Sequence, residues 1–273
     1  MVIEMARKVR DLENSGWITN IFVIDDFVYF TDANFNSSYS SLYKISKINL
    51  IENLKNKGDF GRKFLANPLI EYSNDAILIS QSDVEFVKKE DNYIQNFFKF
   101  REKIFISYLI DQKLYTQVFD ENKERKNIQV LLNNTNGMVG KVGKEISLYD
   151  ENLKKLKNYQ IDILSCVEFE NNFIVLKNNF EVWLCDKEFE DIECIDNTKE
   201  FKNIFYLNKN NVLISYKDSK STIAINIKDK NKLQIIDNFL IRAVLLDDNN
   251  LLVKVMYDNN DNINMKSLLK LIY

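Results

Sequence analysis

The sequence feature that most constrains the fold is a pattern that occurs three times in the C-terminal part of the chain. The pairs Asn171-Asn172, Asn210-Asn211 and Asn249-Asn250 are each followed by a short apolar run, and they stand 39 residues apart in both steps. A fixed period of about 40 residues with several short strands is typical of a β-propeller, whose blades are four-stranded sheets around a central axis. The repeat therefore predicts an all-β propeller fold.

Each repeat divides into four strands. One strand ends in an Asn-rich corner at 208–211 and is followed at once by the apolar run 212–216, which is the pattern of a tight hairpin. A polar turn then leads to alternating Ile residues at 223–227, and the last run ends in Ile-Ile-Asp-Asn at 235–238. The ending Cys-Ile-Asp-Asn at 194–197 closes the preceding unit in the same way.

Counting such units along the chain predicts about seven blades in a single domain that covers residues 1–273. Their second strands begin at Phe27, Ala76, Leu114, Glu145, Phe173, Val212 and Leu251. A count of six stays open, because the fourth unit, 138–160, is short and poorly patterned, and residues 151–159 fit a helix as well as strands. Residues 48–66 form a longer exit than a blade needs, which predicts a helical turn or an extended loop.

The N-terminal residues offer a way to close the ring of blades. The phrase Val-Arg-Asp-Leu-Glu-Asn at 9–14 has the same ending as Leu-Gln-Ile-Ile-Asp-Asn at 233–238. We therefore expect residues 8–12 to form a strand rather than a helix, and to serve as the outer strand of the last blade. Such closure removes the open sheet edge of a blade that otherwise ends at Tyr273 after three strands.

One blade carries a recognisable family motif. Tyr29-Phe30-Thr31-Asp32, followed by Leu42-Tyr43-Lys44-Ile45, resembles the blades of YWTD-type propellers and their bacterial relatives. The resemblance covers this blade only, because the Tyr-Trp-Thr-Asp phrase is not kept in the other units. It implies the propeller fold and implies no ligand.

Length and composition agree with one packed, strand-rich domain in the cytoplasm. The chain has 273 residues, of which 45% are hydrophobic, 12% aromatic and 28% charged, and this balance excludes wholesale disorder. The net charge of −3 disfavours a protein that binds nucleic acid, because phosphate contacts need clustered basic residues. The N-terminus lacks the apolar core of a signal peptide, and no run approaches the ~18 apolar residues of a membrane span.

Turn-forming residues are distributed unusually. Only 6 Gly and 1 Pro occur, so we expect Asn to form the turns, since its side chain tolerates left-handed backbone and bonds to neighbouring backbone groups. The three Cys residues, Cys166, Cys185 and Cys194, fit no disulfide framework and no zinc site. We expect reduced, buried thiols, two of them on neighbouring strands of one blade.

Several kinds of catalytic and metal site are excluded or disfavoured by the residues present. His is absent, which excludes Ser-His-Asp and Cys-His catalysis and His-ligated metals. The stretch 258–262 resembles the opening of a calcium loop, but Ile263 stands where Gly is expected and Leu269 where an acid is expected. Carboxylate pairs such as Asp25-Asp26 lie at predicted blade corners, where turn formation explains them. We therefore predict no enzyme activity, no metal and no cofactor.

The stretch most suited to contact with a partner is the loop 32–41. It is long for a hairpin and presents Phe35 and Tyr39 among small polar residues such as Asn36, a mixture of rigid aromatic anchors and adaptable polar contacts. Rigid repeated blades with variable loops and no catalytic group suit a scaffold that binds a protein or a peptide, as part of a complex or as a toxin-neutralising protein. The alternative is an enzyme or a carbohydrate binder that uses carboxylates and Tyr at the central channel.

Overall fold

The computed structural model describes residues 17–33, 40–55, 85–121, 124–134, 136–236, 239–247, 250–257 and 266–272. Within them the chain forms 22 strands and one helix. In chain order the strands are β1 (Trp17–Ile24), β2 (Phe27–Ala33), β3 (Ser40–Ser46), β4 (Glu85–Glu90), β5 (Tyr93–Phe100), β6 (Lys103–Ile110), β7 (Lys113–Val118), β8 (Gln129–Asn134), β9 (Gly137–Val142), β10 (Glu145–Tyr149), β11 (Lys155–Tyr159), β12 (Ile163–Phe169), β13 (Asn172–Lys177), β14 (Val182–Cys185), β15 (Asp191–Asp196), β16 (Lys202–Asn208), β17 (Asn211–Tyr216), β18 (Ser221–Asn226), β19 (Lys232–Ile236), β20 (Leu240–Asp247), β21 (Asn250–Tyr257) and β22 (Lys266–Ile272). The helix, α1 (Lys47–Lys55), directly follows β3.

Every sheet consists of strands that are consecutive in the chain. Four sheets have four strands, in the orders β1-β2-β3-β4, β8-β9-β10-β11, β12-β13-β14-β15 and β16-β17-β18-β19, and two have three, β5-β6-β7 and β20-β21-β22. Successive four-stranded antiparallel sheets are the blades of a propeller. The fold is therefore an all-β β-propeller, as predicted. No helix in the described part of the chain has the length and apolar character that a membrane crossing requires.

Two compact units divide the chain, one made of Met1–Ile94 with Asn238–Tyr273 and the other of Gln95–Asp237. In the first unit, the first strands of two sheets, β1 and β20, pack side by side. The buried side chain of Asn20 in β1 donates to the carbonyl oxygen of Ile94 at 2.9 Å. Arg242 of β20 donates to Asn20 Oδ1 at 3.5 Å, so one buried amide links three strands of this unit.

In the second unit, apolar side chains fill the spaces between successive sheets. The strand β17 is buried on both faces from Val212 to Tyr216. Its sequence is almost entirely apolar because a strand that packs between two other sheets has no face exposed to solvent. One cluster joins β12–β15 to β16–β19: Phe169, Ile174, Leu176, Val182, Ile195, Ile204, Val212, Ile214, Tyr216, Ile225 and Ile227. The outer strand β11, in contrast, is exposed along nearly all of its length.

The predicted Asn repeat marks the same hairpin in three blades. The second residues of the three Asn pairs, Asn172, Asn211 and Asn250, begin β13, β17 and β21. Each of them pairs with the last residue of the preceding strand, namely Phe169, Asn208 and Asp247. The period of 39 residues therefore marks the same position in each of the three blades. The prediction that the Asn pairs mark a repeated hairpin is confirmed.

The prediction of about seven blades is wrong for the described residues, which form six sheets. The difference arises because residues 84–87 were expected to belong to a separate second unit. Instead β4 pairs with β3 through partners such as Leu42 and Lys88 and completes the first sheet, and β5 begins the next sheet. A long connection thus lies inside the first blade, between its third and fourth strands. Ala76, the expected start of the second unit's second strand, lies outside the described residues.

Two regions left open by the sequence are resolved in part. Residues 47–55 are helical, which agrees with a helical turn in the exit at 48–66; the rest of that exit is outside the described part. Residues 151–159 do not form a helix, because residues 155–159 are the strand β11, which pairs with residues 146–149 of β10. The proposed closing strand at residues 8–12 lies outside the described residues.

The residues that adopt left-handed backbone are not the ones that the composition suggests. Among the described residues, eleven non-Gly residues have positive φ: Asp25, Arg101, Asp111, Gln112, Asp120, Leu153, Glu170, Phe180, Phe189, Lys220 and Lys230. None of these eleven is Asn, so the expectation that Asn supplies this conformation is wrong for the described residues. Asn side chains do bond to turn backbone, as when Asn208 Oδ1 accepts from the amides of Asn210 and Asn211, both at 3.0 Å.

The three Cys residues lie in one sheet, Cys166 on β12, Cys185 on β14 and Cys194 on β15, and none forms a disulfide. Two of them are therefore on neighbouring strands, as expected. Cys166 and Cys185 are buried, but Cys194 is exposed, because the outer strand β15 presents residues 191–194 to solvent. The prediction that all three thiols are buried is wrong for Cys194.

Candidate functional site

The predicted contact residues Phe35, Asn36 and Tyr39 lie outside the described residues. The strands on either side of their loop are described: β2 ends at Ala33 and β3 begins at Ser40, and these two residues pair in register. The loop 32–41 therefore connects two paired strands at the end where the second strand of a blade turns into the third. The corresponding end of the blade β16–β19 is described in full and carries the site below.

A buried polar cluster lies where β15 passes into β16. Lys202 Nζ donates to the carboxylate of Asp196 and to the carbonyl oxygen of Thr198 at 2.9 Å. Thr198 Oγ1 donates to Asp196 Oδ2 at 2.7 Å, and Tyr216 OH donates to Asp196 Oδ1 at 3.0 Å. The ammonium of Lys202 also lies 5.1 Å from the centroid of the Tyr216 ring. Asp196, Lys202 and Tyr216 of two adjacent sheets are thus fixed against one another and against Thr198 of the connection between them.

The electrostatics of this cluster follow from burial and hydrogen bonding. Burial alone would raise the pKa of Asp196, but hydrogen bonds from Lys202, Thr198 and Tyr216 and the charge of Lys202 lower it below its ordinary value. Burial, and then the negative charge of Asp196, raise the pKa of Tyr216. At neutral pH the cluster therefore holds an ionised carboxylate and a neutral phenol.

An aromatic surface adjoins this cluster, since Phe201 directly precedes Lys202 and Lys217 directly follows Tyr216. We define it as the platform formed by Phe180, Phe201 and Lys217. The two rings meet edge to face with centroids 5.8 Å apart, and Phe201 is 43% exposed. The ammonium of Lys217 lies 5.5 Å from the Phe201 ring and forms no ion pair with a described residue. The Lys217 amide donates to the carbonyl oxygen of Phe201 at 3.0 Å, so the backbone beneath the platform is also held.

The rim of the platform is charged. The Glu181 carboxylate accepts hydrogen bonds from Lys199 and from Trp183 Nε1, the latter at 3.0 Å. The Glu181 backbone amide donates to Asn179 Oδ1 at 3.1 Å. The hydrogen bonds from Lys199 and Trp183 lower the pKa of Glu181 to about 2. The half-buried Trp183 packs against the core on one side and donates to this rim through Nε1.

Several groups that could serve catalysis or metal binding can be placed in the structure. Lys202, the buried amine, is fully removed from solvent and has no access to a substrate. The described residues contain no group of three or more Cys, Asp or Glu side chains placed to hold a metal ion. The carboxylate of Asp25 belongs to a turn with φ of 50°, which agrees with its predicted role. The calcium-like stretch 258–262 lies outside the described residues.

Sequence reasoning missed the platform for identifiable reasons. Phe201 stands alone between Glu200 and Lys202 and shows no periodicity that marks it as exposed. Asp196 did carry a signal, because it belongs to the repeated Ile-Asp-Asn ending. That ending marks the point where the chain leaves an outer strand. It does not indicate that the side chain of Lys202, six residues later, forms an ion pair with Asp196.

Comparisons with known proteins support the fold. The sequence matches no protein-family model, so the YWTD-type resemblance gains no support from one. No curated protein is similar in sequence. Among solved structures, the chain is similar to a protein of unknown function from Bacteroides caccae, with a TM-score of 0.50, 9% identity, and coverage of 82% of this chain and 81% of that one. At this identity the likeness shows a shared fold alone.

Two further solved structures are similar at a lower level. One is PorZ, an essential bacterial surface component of the type-IX secretion system of Porphyromonas gingivalis, with a TM-score of 0.49, 9% identity, and coverage of 92% of this chain and 32% of that chain. The other is the β-propeller domain of Cps50 (Swd1) from Myceliophteria thermophila, with a TM-score of 0.41, 12% identity, and coverage of 66% of this chain and 70% of that chain.

Proposed function

We propose that the protein is a non-enzymatic scaffold that binds a protein or a peptide, either as a component of a complex or as a toxin-neutralising protein. The observation that carries the proposal is the platform of Phe180, Phe201 and Lys217, in which the exposed ring of Phe201 and the half-buried ring of Phe180 lie beside an ammonium with no described ion-pair partner. Exposed aromatic residues on a fixed backbone bind at a low entropic cost, because little freedom is lost on contact.

The buried cluster supports this proposal, because it fixes the segment that presents Phe201. Asp196 and Lys202 lie on either side of that segment and are joined to each other and to Thr198. A loop held at both ends by buried hydrogen bonds is preorganised for contact. The predicted aromatic residues Phe35 and Tyr39 are proposed as a second contact on the loop 32–41.

The test is affinity capture from a lysate of the source organism, followed by quantitative mass spectrometry. We expect a stoichiometric protein that is retained by the wild type and reduced more than about tenfold by Phe201→Ala with Lys217→Ala. The matched control is Tyr206→Ala, which removes a ring of similar exposure, 40%, elsewhere in the same unit. Equal loss in the control, or no loss in the double variant, contradicts the assignment of the platform.

The double variant Phe35→Ala with Tyr39→Ala tests the second contact in the same assay. It should leave folding intact and weaken capture of the same partner. Unchanged capture would remove the loop 32–41 from the binding surface while leaving the platform in place. No stoichiometric partner with any version of the protein would contradict the scaffold proposal itself.

A further inference from the structure

Two neighbouring blades carry the same turn before their outer strands. The turns 150–154 and 186–190 have the same geometry: in each, Oδ1 of the first residue, an Asp, accepts from the amides two and four residues later, at 2.9 and 2.8 Å in both. The fourth residue of each turn has left-handed φ, 57° at Leu153 and 64° at Phe189. Because the turns match residue by residue, the positions that follow them on β11 and on β15 are equivalent.

Both outer strands begin with a β-bulge at the same equivalent position. In β11, the three residues 155–157 stand opposite two residues of β10, and Leu156 is the extra residue. In β15, the three residues 191–193 stand opposite two residues of β14, and Ile192 is the extra residue. A bulge changes the direction of a side chain at the edge of a sheet. Here the side chain is apolar and faces solvent, since Leu156 is 54% exposed and Ile192 is 55% exposed.

The charges beside these two apolar residues have opposite signs in the two blades. Residues 154–157 are Lys-Lys-Leu-Lys, and residues 190–193 are Glu-Asp-Ile-Glu. Each charged position therefore has a lysine in one blade and an acid in the other, and all six charged side chains belong to exposed residues. We call residues 154–157 the basic ridge and residues 190–193 the acidic ridge.

Contacts within the chain do not match the two ridges with each other. The recorded ion pairs of the ridges all lead to residues outside the opposite ridge: Lys155 with Glu145, Lys157 with Glu188, Asp191 with Lys177 and Glu193 with Lys230. In each of these pairs at least one side chain is 40% exposed or more. Surface ion pairs of this kind contribute little to stability, so they do not prevent the same charges from contacting another molecule.

We propose that the two ridges form an interface between two copies of this chain, in which the basic ridge of each copy contacts the acidic ridge of the other. The two blades are adjacent, since buried side chains of both, among them Ile146 and Val175, form one core cluster. A twofold axis between the blades therefore produces the same contact twice. In each contact Leu156 of one copy packs against Ile192 of the other, and lysines face acids on both sides of this apolar centre.

Charge complementarity favours a second copy as the occupant of this surface. A partner of one charge sign would be attracted to one ridge and repelled by the ridge beside it. A second copy presents both signs, at the spacing that the equivalent turns impose. This self-association goes beyond the proposed binding of a partner protein, because it needs no other molecule and shares no residue with the platform.

The test is sedimentation velocity of the purified full-length protein over a range of concentrations. We expect a monomer–dimer equilibrium with a Kd of about 50 μM, the affinity of a small interface. Raising the salt concentration from about 0.05 M to about 0.5 M should weaken the dimer at least about fivefold, because the contacts between charges are screened. A protein that stays monomeric up to about ten times the expected Kd at low salt overturns the proposal.

Charge reversal ties the dimer to the ridges. Lys155→Glu with Lys157→Glu makes both ridges acidic, and Asp191→Lys with Glu193→Lys makes both basic, so each variant alone should be monomeric where the wild type is dimeric. Mixed in equal amounts, the two variants should form a heterodimer, because every contact between them is again complementary. A dimer that persists in both variants, or folded variants that do not associate when mixed, overturns the proposal.

A milder variant and a matched control complete the test. Ile192→Ala keeps every charge and should weaken the dimer at least about threefold; an unchanged dimer overturns the proposal. The control is Leu233→Arg, because Leu233 is 66% exposed on the next outer strand but pairs directly with Ala224 and is not a bulge residue. It should leave the dimer unchanged, and equal loss in this control overturns the proposal. Phe201→Ala should also leave the dimer unchanged, so failure of the platform and failure of the ridges are separate results.

Discussion

Lys202 and Asp196 form an ion pair that is almost completely removed from solvent, with side chains 0% and 3% exposed. The pair joins the end of one blade to the beginning of the next. Because each charge is costly to bury, the pair is stable only while both partners and their hydrogen bonds are present. It therefore links the stability of the protein to the position of the segment that carries Phe201.

The first prediction concerns loss of the buried cation. Lys202→Met leaves the Asp196 carboxylate buried without its partner, and we expect the free energy of unfolding to fall by about 3–5 kcal/mol. Urea denaturation followed by circular dichroism measures the change. Asp196→Leu combined with Lys202→Met should recover most of the loss, because an apolar pair of similar volume has no uncompensated charge.

The control for this variant is a surface pair in the same unit. Lys228 and Glu170 lie 3.9 Å apart with side chains 70% and 47% exposed. Lys228→Met should therefore change the free energy of unfolding by less than about 1 kcal/mol. If Lys202→Met has an effect no larger than this control, the buried ion pair is not formed as described.

The second prediction concerns acid. Because hydrogen bonds lower the pKa of Asp196 in the folded protein, the carboxylate stabilises the fold at pH values above its unfolded pKa of about 4, and this stabilisation is lost as the pH falls through the folded pKa. The difference in thermal stability between the wild type and Asp196→Asn should therefore shrink as the pH is lowered from about 4. A difference that stays constant over this range would exclude ionised Asp196 as its source.

The third prediction concerns thiol reactivity. Burial raises the pKa of all three thiols, to about 12 at Cys166 and at Cys185, where the nearby Asp191 adds to the effect. Cys194 differs from the other two because it is exposed and so accessible to a reagent. Only the thiolate reacts with a disulfide reagent. We expect one thiol per chain to react with Ellman's reagent in the native state and three after denaturation. Cys194→Ser should abolish the native reaction; a rapid reaction that survives in this variant would contradict the described burial.

The fourth prediction concerns closure of the last sheet, which has three described strands. The sequence predicts that residues 8–12 supply its fourth strand. Deletion of residues 1–12 should then lower the melting temperature of the whole domain by more than about 4 °C in one cooperative transition. Deletion of residues 1–4 is the control and should have little effect. An unchanged melting temperature after the longer deletion would show that these residues are not part of a sheet.

The class of fold was predictable because it is repeated: the same hairpin begins at Asn172, Asn211 and Asn250. The number of blades was not predictable, because the outer strand β4 is separated from β3 by a long connection. Apolar runs in the sequence of that connection have the same composition as strands. Left-handed turns at Leu153 and Phe189 carry no sequence signal, since apolar side chains rarely adopt that conformation. They are stabilised by burial between sheets, which only the packed structure shows.

The candidate site was harder to predict than the fold. A lysine is almost always exposed, so the complete burial of Lys202 contradicts what its residue type suggests. Its partners Asp196 and Tyr216 are six and fourteen residues away and belong to other strands. The platform exists because these strands are neighbours across two sheets, a relationship that depends on the packing of blades rather than on local pattern.

Hydrogen exchange of the protein with and without the partner isolated by capture tests whether the platform is the binding surface. We predict slower exchange on binding in the segments 177–183 and 196–202 and in the turn 217–220, which together carry the platform and its rim. Unchanged exchange in all three segments, with protection confined to other parts of the chain, would contradict the platform as the binding surface.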